Sequence, residues 1–583
     1  MTVGEAKWVD SVDELLDGVG SGMRISVGGV HFIRAPIASI RALATRDINN
    51  LTYVAWGGGI PLEMMLEAGL VTRAEICFSS LDVFGLAPHF RRAAESGALE
   101  VVDLTALGLM TGLRAWAENL AWEVMQEPTG SDVMSEHFMP VRGDDDQVPM
   151  VRIAPIEVDV MLLHAQRADA AGNVEIQGAR ATDLATVFAA KRVLVTVEEM
   201  VPVGQLGAPR AFILPRSHVS RIAVVPYGAY PTSCLPYYPH DLKAVASALE
   251  ESEQNQSPRA FQFEPPTPEK RALLSVTTGV PFHRSVDAIR ACYSDKDSGG
   301  WSIAELMAIL ISRSVTNESI CSFGSAAPLA GAAYLLARHT HAPDALLMSH
   351  NGGYVDIAAR PLTLSLAEVH DFQSAAAHTG GDETYHWFYQ AGMVTHEVVG
   401  SAQVDASGAT NNVRIVRGNG SVIRLPGQGG MADVANLHRD LVIYLPRQDP
   451  RNTPSTLDYV SAARVWEEDE RLRYGFQAGR MAVITNLGVM ERNPKSRRLE
   501  IISLHQGVTV EDFQAATGFE IAPSDRLTET LAPTDDELLA LRSQIDPLGL
   551  CRLEFASARD RRALLMEALQ AEAAAISTCV TVQ

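Results

Sequence analysis

The stretch LTYVAWGGGIPLEMMLEAGL, residues 51–70, decides the architecture. Residues 51–59 are apolar, β-branched or aromatic and end in three glycines, which predicts a buried strand running into a tight turn. Residues 60–70 predict a helix, with Pro61 suited to a first helical turn where its missing N–H costs nothing. The same alternation continues through the chain. KRVLVTVEEM (191–200) and LLSVTT (273–278) predict further strands rich in β-branched residues. Strand, turn and helix in repetition predict an α/β fold with mainly parallel sheets.

Working outward, the chain says the same thing twice. VGGVHFIRAPIASIRALATR from Val27 is echoed by FGSAAPLAGAAYLLARH from Phe323, YVAWGGG by LLMSHNGG, and AQRADAAGN from Ala165 by AQVDASGAT from Ala402. Three echoes in the same order predict a duplicated α/β unit. Between them EESEQNQSPRAFQFEPPTPEK (250–270) is polar and proline-rich and reads as a linker or extended strap. The expected domains are 1–249 and 300–583, joined by a linker over 250–299. The echoes are unequally spaced, so an insertion near 100–150 is expected, forming loops that shape the binding pocket.

Composition narrows the function. At 583 residues the chain exceeds one ordinary core, and about two to four domains are expected. Apolar residues make up 47% and charged residues 20%, which excludes a disordered chain. The longest apolar runs fall short of a membrane span. The acidic N-terminus lacks the basic and apolar regions of a signal peptide, so residence in the cytoplasm is expected. The net charge of −22 argues against a nucleic-acid partner. Six scattered cysteines without a CxxC pair predict buried apolar residues rather than disulfides or a metal site.

Two stretches carry candidate chemistry. LPGQGGMADVAN (425–436) puts three glycines in four positions before a helical segment, as in an anion-binding nest or oxyanion hole, although glycine turns of purely structural purpose look the same. DALLMSHNGGYVDI (344–357) reads as a buried strand whose tip presents His350 before Asn351-Gly352-Gly353. His370, His378 and His386 read as structural histidines, and Asp382 and Glu383 either line the same cleft or form a solvated loop. No GxSxG elbow, Walker loop or HExxH motif is present.

These motifs, in their order, resemble a class I CoA-transferase of the glutaconate CoA-transferase type with both subunits fused in one chain. GGVHFIRAPIASIRAL, GGGIPLEMMLEAGLV and DVMLLHAQRADAAGNVEIQGARATD resemble the first subunit. GSAQVDASGATN, LPGQGGMAD, VITNLGVM, SLHQGVTVEDFQAATGFEI and IDPLGLCRLE resemble the second. The resemblance implies two similar open α/β domains with an acyl-CoA site at their interface. It also implies that the loop 427–430 lies against the thioester oxygen and CoA. Gly429 and Gly430 are then the expected oxyanion hole, and Gly352, Gly427, Gln428, Gln403 and Asn486 the expected CoA or acyl contacts.

The chain departs from the family at the catalytic turn. Where the family presents a glutamate that carries CoA as its own thioester, this chain has His350. Imidazole has no carbonyl carbon on which to hold CoA, so transfer through a residue-350 thioester is excluded by valence. A relative that opens a steroid-derived ring relies instead on an acidic residue in its first half, and the matching position here is Ala106. The resemblance therefore implies a hydrolase or a carbon–carbon lyase or decarboxylase acting on a CoA thioester, dicarboxylic esters included, with His350 and Asn351 as catalytic residues. The alternatives are CoA transfer to a small carboxylic acid through another carboxylate such as Glu63 or Glu383, acyl transfer through His350, or non-catalytic acyl-CoA binding. No metal and no tightly bound cofactor is expected, coenzyme A entering only as the thioester substrate. A homodimer is the expected assembly. The first-half turn at Trp56 lacks an acid or base and reads as structural.

Overall fold

The computed structural model describes residues 7–134, 138–141, 147–254, 259–294, 300–324, 327–349 and 353–580. The opening stretch is a strand, β1 (Leu51–Gly57), followed by a helix, α1 (Gly59–Glu67). β1 is buried along most of its length, which is why its apolar run does not alternate. It belongs to a sheet whose main path is parallel throughout. The spatial order is Lys7–Trp8, Arg221–Val224, Ala190–Val201, Val158–Asp169, Arg24–Val27, β1, β2 (Val71–Phe78) and Glu100–Asp103. Two short strands, Val174–Ile176 and Phe212–Leu214, add to it antiparallel.

The second half builds another ten-stranded sheet, centred on β3 (Ile320–Phe323), β4 (Leu346–Ser349), β5 (His396–Gly400) and β6 (Asp440–Leu445). The order β4-β3-β5-β6 is parallel, with antiparallel strands outside it. In each sheet the chain order reverses near the centre, between Val158–Asp169 and Arg24–Val27 in the first and around β3 in the second. Such reversals open a crevice at the carboxyl ends of the strands.

The echoes in the sequence have a physical cause. Asp169 accepts from the N–H groups of Ala171 and Asn173 at 3.0 and 2.9 Å, and Asp405 from those of Ser407 and Ala409 at 2.8 and 3.1 Å. Both are the same carboxylate-braced turn, closed by a glycine with positive φ, Gly172 and Gly408. The largest apolar cluster runs through both halves, from Ile60 and Leu62 to Tyr334 and Leu336. Five of the six cysteines are buried. Among the described residues no helix is long and apolar enough to cross a membrane.

Two expectations are corrected. LLSVTT is helical, within Pro268–Gly279: Thr267 caps it by accepting from the Lys270 N–H at 3.3 Å, and Pro268 starts the first turn. A start signal of that strength overrides the β-branched run, which occupies only the later turns. The stretch read as a linker is also packed. Phe261 and Phe263 join the main core, and helix Phe282–Arg290 buries Ile289 against Ala575 and Ile576 of the C-terminal helix Ala558–Val580.

An ion pair fastens the halves where the second sheet's loops reach the first. Arg424 donates to Asp103 at 2.8 Å, and both are largely buried. Replacing Asp103 by Ala strands the guanidinium. The expected loss is about 3–5 kcal/mol, read as a lower urea midpoint.

Candidate functional site

The carboxyl ends of both sheets enclose a cavity of about 310 Å³ between the halves. From the first half come Trp56 and Phe78, at the ends of β1 and β2, and His31 and Asp82, a few residues beyond strand ends. From the second come Glu397 on β5, the loop 426–430, and the rings of Tyr385, Tyr389 and Tyr444. A smaller neighbouring cavity shares Trp56 and Tyr385, and is lined by Ser349 and Gly353. His350, Asn351 and Gly352 lie outside the described residues. Their described neighbours in sequence thus border the same region.

The glycine loop is docked by main-chain hydrogen bonds. The Ser79 N–H donates to Pro426 O at 2.7 Å, and the Gly427 N–H to Asn412 O at 2.8 Å. Gly427 has φ +116, and a β-carbon there would lie 2.5 Å from Cys77 O and 2.7 Å from Phe78 Cα, so no larger residue fits. The amides of Gly429 and Gly430, the expected oxyanion pair, differ in their partners. Gly429 donates to Cys77 O at 3.1 Å, because the loop uses that N–H to dock on β2. Nothing among the described residues accepts from the Gly430 N–H. A β-carbon on Gly430 would overlap the Tyr385 hydroxyl. The indole N–H of Trp56, also on the wall, is buried without an acceptor among the described residues.

Gln428 reaches the cavity wall, but its amide is committed. Its Oε1 accepts from the Ala432 N–H at 2.8 Å, and its Nε2 donates to Leu104 O at 3.0 Å. Gln403 and Asn486 are not among the described residues of this wall. Gln403 is held by Asn411 and Arg451 O, and Asn486 accepts from the Gln448 N–H at 2.7 Å. Polar residues at turns take the nearest main-chain partners, and these two brace their own turns.

The acids considered for transfer are likewise elsewhere. Glu63 accepts from the His89 and Phe90 N–H groups at 2.8 and 2.7 Å, capping the helix Pro88–Ser96; burial pushes it up to about 7. Glu383 pairs with Arg180 and the Gly380 N–H, and burial raises its neighbour Asp382. His370 and His378 are held below their ordinary range by burial. Ala106 begins helix α2 (Ala106–Ala117). The region expected to shape the pocket instead forms α2 and a three-stranded sheet, Glu123–Gln126, Met139–Val141 and Met150–Ile153. It docks on the second half through Asp132 and Thr129. None of its described residues lines the cavity.

Sequence reasoning missed three groups that tertiary structure brings to the wall. His31 Nδ1 lies 2.8 Å from Asp82 Oδ1, and the ring stacks on Phe78 at 5.1 Å. The loop carrying His31 is anchored from below. Asp183 accepts from the Gly29 N–H at 2.8 Å and from Arg34 Nη2 at 2.6 Å, while Arg34 also donates to Ala179 O at 2.6 Å. Glu397 is the third, with Oε2 3.1 Å from His438 Nδ1. His31 stood in a quoted motif, but its partner is some fifty positions away, beyond any local signal.

Elsewhere, His164, Glu198 and Cys234 lie close enough to ligate a metal. Glu198, however, already bonds to His164 and Tyr238 at 2.7 Å and to the Tyr227 N–H at 2.8 Å, so protons fill this network.

The coenzyme A transferase model matches residues 9–224 and 304–516. The chain is 32% identical to one of the two subunits of 3-oxoadipate CoA-transferase of Pseudomonas knackmussii over 249 residues, 42% of this chain and 93% of that protein. With the other subunit of the same enzyme it is 28% identical, over 37% of this chain and 77% of that protein. The cholesterol ring-cleaving hydrolase IpdA subunit of Mycobacterium tuberculosis is 29% identical, over 40% of this chain and 83% of that one. An acyl-CoA transferase from E. coli O157:H7 superposes at a TM-score of 0.61 and 16% identity, over 90% of this chain and 96% of that one, a likeness of fold.

Gly430→Ala is expected to lower the melting temperature and close the cavity against Tyr385, whereas Gly418→Ala, at a position with open space, leaves both unchanged. A second expectation concerns pH. Asp433 accepts from the Leu107 N–H at 2.9 Å and is pushed up to about 7 by burial. Its unfolded value of 3.8 is lower, so the folded chain binds the extra proton. The associated stability is complete below the unfolded value and is lost as pH rises toward 7. Thermal unfolding from pH 4 to 8 is expected to show this decline, and Asp433→Asn to make it shallower.

Proposed function

The chain belongs to the coenzyme A transferase family, and we propose that this enzyme cleaves an acyl-CoA rather than passing CoA to a second acid. The observation that carries the reading is the His31–Asp82 pair on the wall of the interface cavity, with the glycine loop also on that wall. The Asp82 carboxylate stands 2.8 Å from Nδ1, and we assign Nε2 as the general base.

In the hydrolytic form, His31 Nε2 takes a proton from water as its oxygen adds to the thioester carbonyl. The Gly430 N–H is the proposed donor to the resulting oxyanion. Collapse breaks the C–S bond, the imidazolium returns its proton to the departing thiolate, and the products are the acid and free CoA. The same base serves a carbon–carbon cleavage beside the thioester. His350 is proposed as the second imidazole, on the chemical ground that it occupies the sequence position of the family's glutamate without a carbonyl carbon to store CoA. The hydrolase among the relatives supports a cleaving reaction within this family.

One observation favours a second reading. Glu397 presents a carboxylate on the cavity wall, and a glutamyl–CoA thioester there would restore transfer. The two separate cleanly. Under cleavage, acyl-CoA releases free thiol without an acid acceptor, His31→Ala lowers kcat by about 10²–10⁴, and borohydride leaves Glu397 unmodified. Reduction of Glu397 to its alcohol in the presence of acyl-CoA, with turnover dependent on an added carboxylic acid, establishes transfer instead.

A further inference from the structure

We propose that the acyl group accepted by this cavity carries a hydrogen-bond donor, a hydroxyl or an ammonium, and no second carboxylate. The inference rests on the acyl-CoA reading above and departs from the dicarboxylic substrate that the family resemblance implies.

Glu397 carries it. The side chain is 8% exposed and lines the cavity, so its charge faces the bound acyl group with little water to screen it. Its Oε2 approaches His438 Nδ1 at 3.1 Å, yet the alignment is too poor for a hydrogen bond. Both ring nitrogens of His438 and Glu397 Oε2 are buried without a hydrogen-bond partner among the described residues. Oε2 is shut in against that ring, so the oxygen a ligand donor meets is Oε1, which has no hydrogen-bond partner among the described residues and is not enclosed in the same way.

The other wall repeats the sign. Asp82 lines it, joined to His31, and among the described lining residues there is no Arg or Lys. Trp56, Tyr385 and Tyr389 contribute aromatic rings to a mainly apolar surface. The terminal carboxylate of a dicarboxylic acyl chain enters a space of about 310 Å³ that already holds two acids. Two like charges about 5 Å apart at an effective dielectric near 20 weaken binding roughly 100-fold or more when no cation offsets them. A hydroxyl or ammonium in the same place meets acceptors. The phosphates of CoA do not enter this balance, because the cavity is sized for the acyl end and the adjoining chain rather than the whole cofactor.

The test is calorimetric binding of four non-cleavable thioethers to the full chain: S-(3-hydroxybutyl)-CoA, S-(3-aminopropyl)-CoA, S-butyl-CoA and S-(3-carboxypropyl)-CoA. The hydroxyl and amino compounds are expected to bind at least about 10-fold more tightly than the carboxyl compound, with butyl between them. Glu397→Gln, which removes the charge and keeps the shape, is expected to collapse that spread. Equal or tighter binding of the carboxyl compound overturns the inference and leaves the acyl-CoA reading intact. An unchanged spread in a folded Glu397→Gln variant overturns the assignment to Glu397. If the variant does not fold, the order in the parent protein decides. Failure of all four to bind overturns the acyl-CoA reading itself.

Discussion

Main-chain hydrogen bonds between the loop 426–430 and the end of β2 hold the two halves in the register that the site requires. Pro426 O receives the Ser79 N–H, and Cys77 O receives the Gly429 N–H, so the second half's loop continues the first half's strand end as a bridge. Backbone can approach backbone this closely only without a β-carbon at Gly427. The glycines are therefore required first for docking.

Side chains next in sequence complete the joint. Gln428 braces Leu104 O, and Asp433 caps α2, so a helix of the first half starts on a carboxylate of the second. That carboxylate is buried at a cost, which its hydrogen bond to Leu107 only partly offsets. The joint trades stability near neutral pH for a fixed geometry. The cavity walls inherit that geometry, because His31, Asp82 and Glu397 all follow or sit on strands whose ends the joint aligns.

The chemistry of the site follows from charge. Among the described residues, two acids and one imidazole line a mainly apolar space. One acid lies beside the imidazole, while the other stands against a second, fully buried histidine.

Periodicity and turn chemistry made the fold legible. The apolar run of β1 and its glycines, the duplicated echoes and the matched turns at Asp169 and Asp405 are local signals, written in adjacent residues. LLSVTT was misread because a capping threonine and proline outside the run outweighed its β-branching. The site was legible only in part. The glycine loop declared itself, but which of its amides is spent on docking depends on Cys77, some 350 positions earlier. His31 and Asp82, or Glu397 and His438, meet only after two sheets have closed on each other. Sequence alone thus determined the α/β units, their duplication, the family and the missing carboxyl group at position 350. Tertiary structure decided which donors remain free and which acids face the ligand, because hydrogen bonds and charges act over ångströms in space, not along the chain.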